Sequence, residues 1–339
     1  MLPRRSSPTS SASDTPLRRH PWKRRLRAAG VVALIMAGLL VVSTSANLLL
    51  EWHEKSTSVA YGEKVSISEG TINVSRTGDA GPTIVLLSGL GTPAPGLDFA
   101  PLVRELRGFR TVVVEGFGYG YSDMAARPRT VENITEELHE VLSKLGISAP
   151  YILLGHSIGG YSTLYYSNKY PAEVSAVIGI DPTVPAGRTS KDATPGPAEM
   201  PAVDYWWAHA PSTAGLVRWA TALGFSEPGG GGFTAAERQQ MRHMSSWNFG
   251  NQAVTDETLR MGENSAKLQD VRYADTLPVL DFLSQDTMNQ QPYVSHERQL
   301  ANVRRHELVV LEGEHYLHWT QSRAMAARIS DFLRQIGAG

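Results

Sequence analysis

The residues best suited to chemistry are Gly155-His156-Ser157-Ile158-Gly159-Gly160. An apolar run, Tyr151 to Leu154, leads into this segment, and a helical pattern from Ile158 to Lys169 leads out of it. A serine on so sharp a strand-to-helix turn is forced into strained backbone geometry that pushes its hydroxyl out of the sheet. The glycines two positions either side remove side chains where strand and helix approach most closely. The N-terminus of the following helix also favours negative charge developing beside the serine. Ser157 is therefore a candidate nucleophile. The five-residue pattern alone recurs by chance, and it is the strand before and the helix after that make it specific.

A serine hydroxyl needs a base to take its proton. His315, in Glu312-Gly313-Glu314-His315-Tyr316-Leu317-His318, follows the last strand-like run, so its loop can return over the sheet edge. His318 competes with it, and His156 lies too close to the serine to turn back on it productively. The spacing of His315 and His318 could hold a metal, but no acidic frame supports one. An acid must then fix the imidazole tautomer. Asp286, after the run Val279 to Leu283, is the first choice; Asp181, ending the run Val174 to Ile180, is the alternative, and both give the chain order Ser, Asp, His. Asp281 lies inside a strand and suits the role less. Two backbone N–H groups must hold the oxyanion. Ile158 supplies one, and the turn Ser88-Gly89-Leu90-Gly91-Thr92 supplies the other, with Leu90 as the expected donor.

These groups require a scaffold, and the chain beyond Leu50 alternates strand-like with helix-like segments, as a mostly parallel sheet with helices on both faces does. Val65 to Ser68 and Thr71 to Ser75 read as a hairpin around Glu69-Gly70. Thr83 to Leu87 and Thr111 to Val114 are continuous apolar runs, as strands buried on both faces require. Thr130 can cap a helix whose residues Ile134, Leu138, Val141, Leu142 and Leu145 share a face, ending at Gly146. Two later strands, ending at Leu283 and Leu311, and a helix from about Ser322 to Ile336 restore the rhythm. Residues 182–275 break it with Pro- and Gly-rich loops and with Trp206, Trp207, Trp219 and Trp247. This insertion reads as a helical lid over the carboxyl edge of the sheet, where open α/β sheets bind ligands. Its tryptophans would either line a pocket or simply pack it down.

The N-terminus carries an address. Residues 1–27 form a basic tail, Ser- and Pro-rich at its start, with the cations Arg18, Arg19, Lys23, Arg24, Arg25 and Arg27. It is expected to be disordered and cytoplasmic. Ala28 to Leu50 carry no charge, and as a helix would reach ~35 Å, enough for a bilayer core of roughly 30 Å. Basic residues on the N-terminal flank predict that residues 51–339 are exported. A cleaved signal is the competing reading, with Thr44-Ser45-Ala46 as its small-residue site. Cysteine is absent, which excludes disulfides, thiolate metal sites and a cysteine nucleophile together. The body beyond residue 50 is mildly acidic and gives no reason to expect a nucleic-acid partner.

Taken together, these residues resemble the α/β-hydrolase family over about residues 60–336, with the insertion matching in position only. Ser88-Gly89 stands where the family usually reads His-Gly. Glu115-Gly116-Phe117-Gly118-Tyr119-Gly120-Tyr121-Ser122-Asp123 resembles its loop after the next strand, with Glu115 where Asp is more usual. Related dehalogenases and epoxide hydrolases carry aspartate at the nucleophile position, so Ser157 argues against both. The resemblance implies acyl transfer by Ser157, Asp286 and His315, with Leu90 and Ile158 as the oxyanion hole. The aromatic insertion favours a carboxylesterase or lipase acting on a small-molecule or lipid-like acyl substrate. Amidases, peptidases, C–C hydrolases and non-catalytic binding modules share the fold. No cofactor is implied: there is no dinucleotide fingerprint, and Gly229 to Gly232 lack the Lys-Ser/Thr of a phosphate loop.

Overall fold

Strands buried on both faces need mostly apolar side chains, and Thr83–Leu87, Tyr151–His156 and Val174–Ile180 in the middle of the sheet are of this kind. The computed structural model describes residues 21–185, 206–225, 228–285 and 293–338. Its elements in chain order begin with α1 (Pro21–Thr57), β1 (Glu63–Ile67), β2 (Gly70–Thr77), β3 (Thr83–Leu87), α2 (Pro95–Asp98), α3 (Ala100–Glu105) and β4 (Arg110–Glu115). Next come α4 (Val131–Lys144), β5 (Tyr151–His156), α5 (Gly159–Lys169) and β6 (Val174–Ile180). The insertion contributes α6 (Ala210–Thr213), α7 (Leu216–Ala222), α8 (Ala235–Asn248) and α9 (Gln252–Leu268). The chain closes with β7 (Val279–Ser284), α10 (Tyr293–Leu300), β8 (His306–Leu311), α11 (Leu317–Thr320) and α12 (Ser322–Gln335).

The eight strands form one sheet in the order β1-β2-β4-β3-β5-β6-β7-β8. β1 and β2 form the expected hairpin, β2 meets β4 antiparallel, and every pairing from β4 to β8 is parallel. Alternation along a strand sends successive side chains to opposite faces. In β3, Val85 and Leu87 join a core with Leu138, Val141 and Leu142 of α4, while Ile84 and Leu86 face Phe99, Leu102, Ile329 and Phe332 on the other side. Thr130 caps α4 as expected, its hydroxyl accepting from the Asn133 N–H at 3.3 Å. Leu97 to Leu106 is divided between α2 and α3.

The loop after β4 is clamped by the unusual Glu115. Its buried carboxylate accepts from the Tyr61 hydroxyl (2.6 Å), Asn73 Nδ2 (2.9 Å), Gly96 N–H (3.0 Å) and Tyr121 N–H (2.9 Å). The Ser122 hydroxyl donates to the Glu115 carbonyl and accepts from the Asn73 N–H, locking the loop onto the hairpin. Glutamate reaches one methylene further than aspartate, and the clamp uses that reach to gather donors from four segments. Glu115→Ala strips partners from several buried donors, so a loss of roughly 2–4 kcal/mol is expected. Denaturation midpoints of the detergent-solubilised full chain test this, and a shift no larger than that of an exposed-site control would contradict it.

Candidate active site

All parallel strands point their carboxyl ends the same way, and each candidate group stands just beyond one of those ends. Ser157 follows β5, Asp181 follows β6, the turn Ser88 to Gly91 follows β3, and His315 follows β8. Ser157 (φ 51°) and Asp181 (φ 44°) are the two non-glycine residues with positive φ among the described residues. Such backbone costs energy and persists only where its surroundings enforce it. At Ser157 the enforcement is visible: its N–H donates to the Ile180 carbonyl (3.0 Å), while its carbonyl accepts from Gly160 (2.9 Å) and Thr183 (2.8 Å). A side chain on Gly155 would meet the Gly159 backbone at 2.7 Å, so the turn can be this tight only with glycine there.

Of the two acids the sequence offered, the one among the described residues is bonded to His315. His315 Nδ1–H donates to Asp181 Oδ2 at 2.5 Å, and the Asp181 side chain is fully buried. The same carboxylate accepts from the Ser284 N–H and hydroxyl, both at 3.0 Å, so β7 holds it in orientation. Asp286, the first choice from sequence, lies outside the described residues, and the Nδ1 position it was expected to fill is taken by Asp181. The left-handed turn at Asp181 swings its carboxylate across the end of β7 to the His315 loop.

His315 itself is 40% exposed. The competing His318 is enclosed: its Nε2–H donates to Asp98 Oδ2 at 2.7 Å, and Trp319 Nε1–H donates to Asp98 Oδ1 at 2.9 Å. His156 is also buried, and its Nε2–H donates to the His315 carbonyl at 3.2 Å. Burial, and after it the neighbouring His318 and His315, hold the His156 imidazole well below the ordinary histidine range, so it stays neutral. Asp98, His156 and His318 each bring one ligand-type atom within 4.8 Å of the others. Two of those three residues are already bonded to each other, so the group acts as a brace beneath the His315 turn.

The oxyanion candidates flank the serine. Gly89 lies so close that an added Cβ would stand 3.1 Å from Ser157 Cβ, which brings the Ser88 to Gly91 turn directly beside the candidate nucleophile. Neither the Leu90 nor the Ile158 N–H donates to another described residue. Behind this turn the Gly91 N–H donates to the Tyr119 hydroxyl (3.4 Å), and that hydroxyl donates to buried Glu257 (2.8 Å). α9 thereby props the oxyanion turn, a connection the sequence did not announce.

Asp281, inside β7, is buried, and burial pushes its carboxyl up to about 7, partly opposed by the Gly179 N–H. Burial likewise pushes His296, 4.0 Å away, down to about 4. Between about pH 4 and about pH 7 the folded chain therefore keeps a proton on Asp281 that the unfolded chain has released. The stability contributed by that group is lost as pH rises through the window. Asp281→Asn keeps the acceptor oxygen without the charge. It should melt higher than the parent above about pH 7, with the gap closing toward pH 4. Equal midpoints at alkaline pH would contradict the assignment.

Residues 82–322 match the family model for the α/β hydrolase fold. The chain is 29% identical to the uncharacterized protein YbdG of Bacillus subtilis over 160 residues, covering 45% of this chain and 49% of that protein. It is 28% identical to lipase 1 of Psychrobacter immobilis over 172 residues, covering 47% of this chain and 51% of that one. It thus spans about half the length of these curated relatives. Among solved structures, a bacterial membrane phospholipase A described as a virulence factor superposes with a TM-score of 0.55 at 17% identity, over 94% of this chain and all of that one. A family match over most of the chain, on a sheet of this order, settles the family: this protein belongs to the α/β hydrolases.

Proposed function

We propose that this α/β hydrolase is a membrane-anchored serine esterase that cleaves carboxylic esters with apolar acyl groups through an acyl-enzyme. Ser157 Oγ attacks the carbonyl while His315 Nε2 takes its proton. Asp181 holds the imidazole in the tautomer that presents Nε2 and stabilises the imidazolium. The Leu90 and Ile158 N–H groups receive the oxyanion, His315 protonates the leaving alcohol, and water then repeats the cycle on the acyl-serine. The observation that carries this reading is the 2.5 Å bond from His315 to Asp181, beside two strained residues that stand at the nucleophile and the acid.

The anchor is part of the same proposal. α1 contains one stretch long and apolar enough to cross a membrane. Retention, rather than cleavage after Ala46, is supported by the polar contacts of Ser43 with the insertion, which such a cut would sever. Basic residues before Ala28 favour a cytoplasmic N-terminus and an exported body.

Purified full-length protein should hydrolyse p-nitrophenyl esters, with kcat/KM rising from acetate to medium-length acyl chains, and should leave p-nitroanilides almost untouched. Anilide turnover rivalling ester turnover, or folded protein inert toward every ester, would contradict the reading.

A further inference from the structure

The apolar stretch of α1 is too long to end before it meets the insertion. Counting from Ala28, directly after the last cation, about 20 helical residues are needed to cross a hydrocarbon core of roughly 30 Å, which reaches Asn47. Ser43 and Asn47 therefore lie within or at the edge of the outer leaflet, where an unpaired polar side chain is costly. Both are satisfied by the insertion. The Ser43 hydroxyl donates to the Ala214 carbonyl (2.7 Å) and accepts from Trp219 Nε1–H (2.9 Å). Asn47 is buried; its Nδ2 donates to the Ser212 carbonyl (3.1 Å), and its Oδ1 accepts from Arg218 Nε (2.8 Å). An added side chain at Gly215 would touch Asn47 Cβ at 3.0 Å, so the two segments are in direct backbone-level contact.

Whatever depth Ser43 and Asn47 occupy, α6 and α7 share it. At that depth the insertion exposes Trp219 (49%) and, next to Gly215, Leu216 (54%), and the same segment goes on to expose Leu223 (77%) and Phe225 (64%). The Arg218 guanidinium reaches from Asn47 outward along α1 to Glu54, with which it forms a two-pronged pair at 2.5 and 2.9 Å. Apolar side chains thus gather beside the apolar part of the helix, and the ion pair stands beyond it. This is the order of an element half-sunk in a leaflet.

We propose that the α7 segment, Leu216 to Phe225, is a membrane-embedded surface that seats the insertion in the outer leaflet, so that the hydrolase takes acyl lipid from the bilayer. The proposal rests on reading α1 as a membrane span and adds the lipid surface as the source of substrate.

The chain has no cysteine, which permits single-site labelling of the full-length protein. Leu49→Cys, Leu223→Cys and Ala301→Cys, each carrying an environment-sensitive fluorophore, would be placed in phosphatidylcholine nanodiscs. Quenching by headgroup-region nitroxide lipid is then compared with quenching by aqueous iodide. Position 49 reports the span, and position 301, exposed at the amino edge of the sheet, reports water. The expected result is lipid quenching at 223 comparable to that at 49 and several-fold above that at 301, with iodide in the reverse order. A label at 223 that behaves like 301 while 49 is lipid-quenched overturns the proposal and leaves the anchor standing. Iodide access at 49 as well overturns both together.

Discussion

Ser157→Ala is expected to lower kcat toward esters by about 10⁵–10⁶-fold with little change in KM. The loss is this large because the hydroxyl forms the bond that defines the mechanism; what remains is catalysis by the oxyanion donors acting on water. The substitution should leave the fold intact, since the turn at residue 157 is held by backbone hydrogen bonds to Ile180, Gly160 and Thr183 and not by the side chain. Steady-state hydrolysis of the best p-nitrophenyl ester, beside a melting curve for each protein, checks it. Retained activity in a folded variant would remove Ser157 from the mechanism.

The second large effect separates two carboxylates. Asp181→Asn should reduce kcat by about 10⁴-fold, because an amide can donate to Nδ1 and stabilise the wrong imidazole tautomer. Asp286→Asn should leave kcat within a few-fold of the parent. Asp181 accepts the His315 proton at 2.5 Å and is itself held by two bonds from Ser284, so the imidazole already has its orienting acid. Measuring both variants under the same conditions decides the matter. A large loss at 286 with a small one at 181 would reverse the assignment.

That pair of carboxylates also marks how far the sequence could be read. Runs such as Thr83–Leu87 and Val174–Ile180 announce buried strands because nearly every side chain is apolar, and the observed bounds coincide with the runs. The turn at Ser157 is equally plain, since its glycines have no purpose outside a tight strand-to-helix junction. Asp181 and Asp286 are both acids beyond strand ends in the same chain order, and nothing local separates them. The choice depends on which one the His315 loop reaches in three dimensions.

The tryptophans show the same limit. Trp247 packs against Met241 and Met244, whereas Trp207 and Trp219 are exposed, a difference that no periodicity revealed. The buried pair of Asp98 and His318 joins residues 220 positions apart and was invisible for the same reason. The partners of Ser43 and Asn47, carbonyls of the insertion, could only come from the fold.

The most direct test of the central claim is labelling of the full-length protein with a fluorophosphonate probe, beside Ser157→Ala and His315→Ala. The account predicts a labelled parent with the adduct mapped to the peptide bearing Ser157, and no labelling of either variant. A folded parent that stays unlabelled, or an adduct on a different residue, would contradict it.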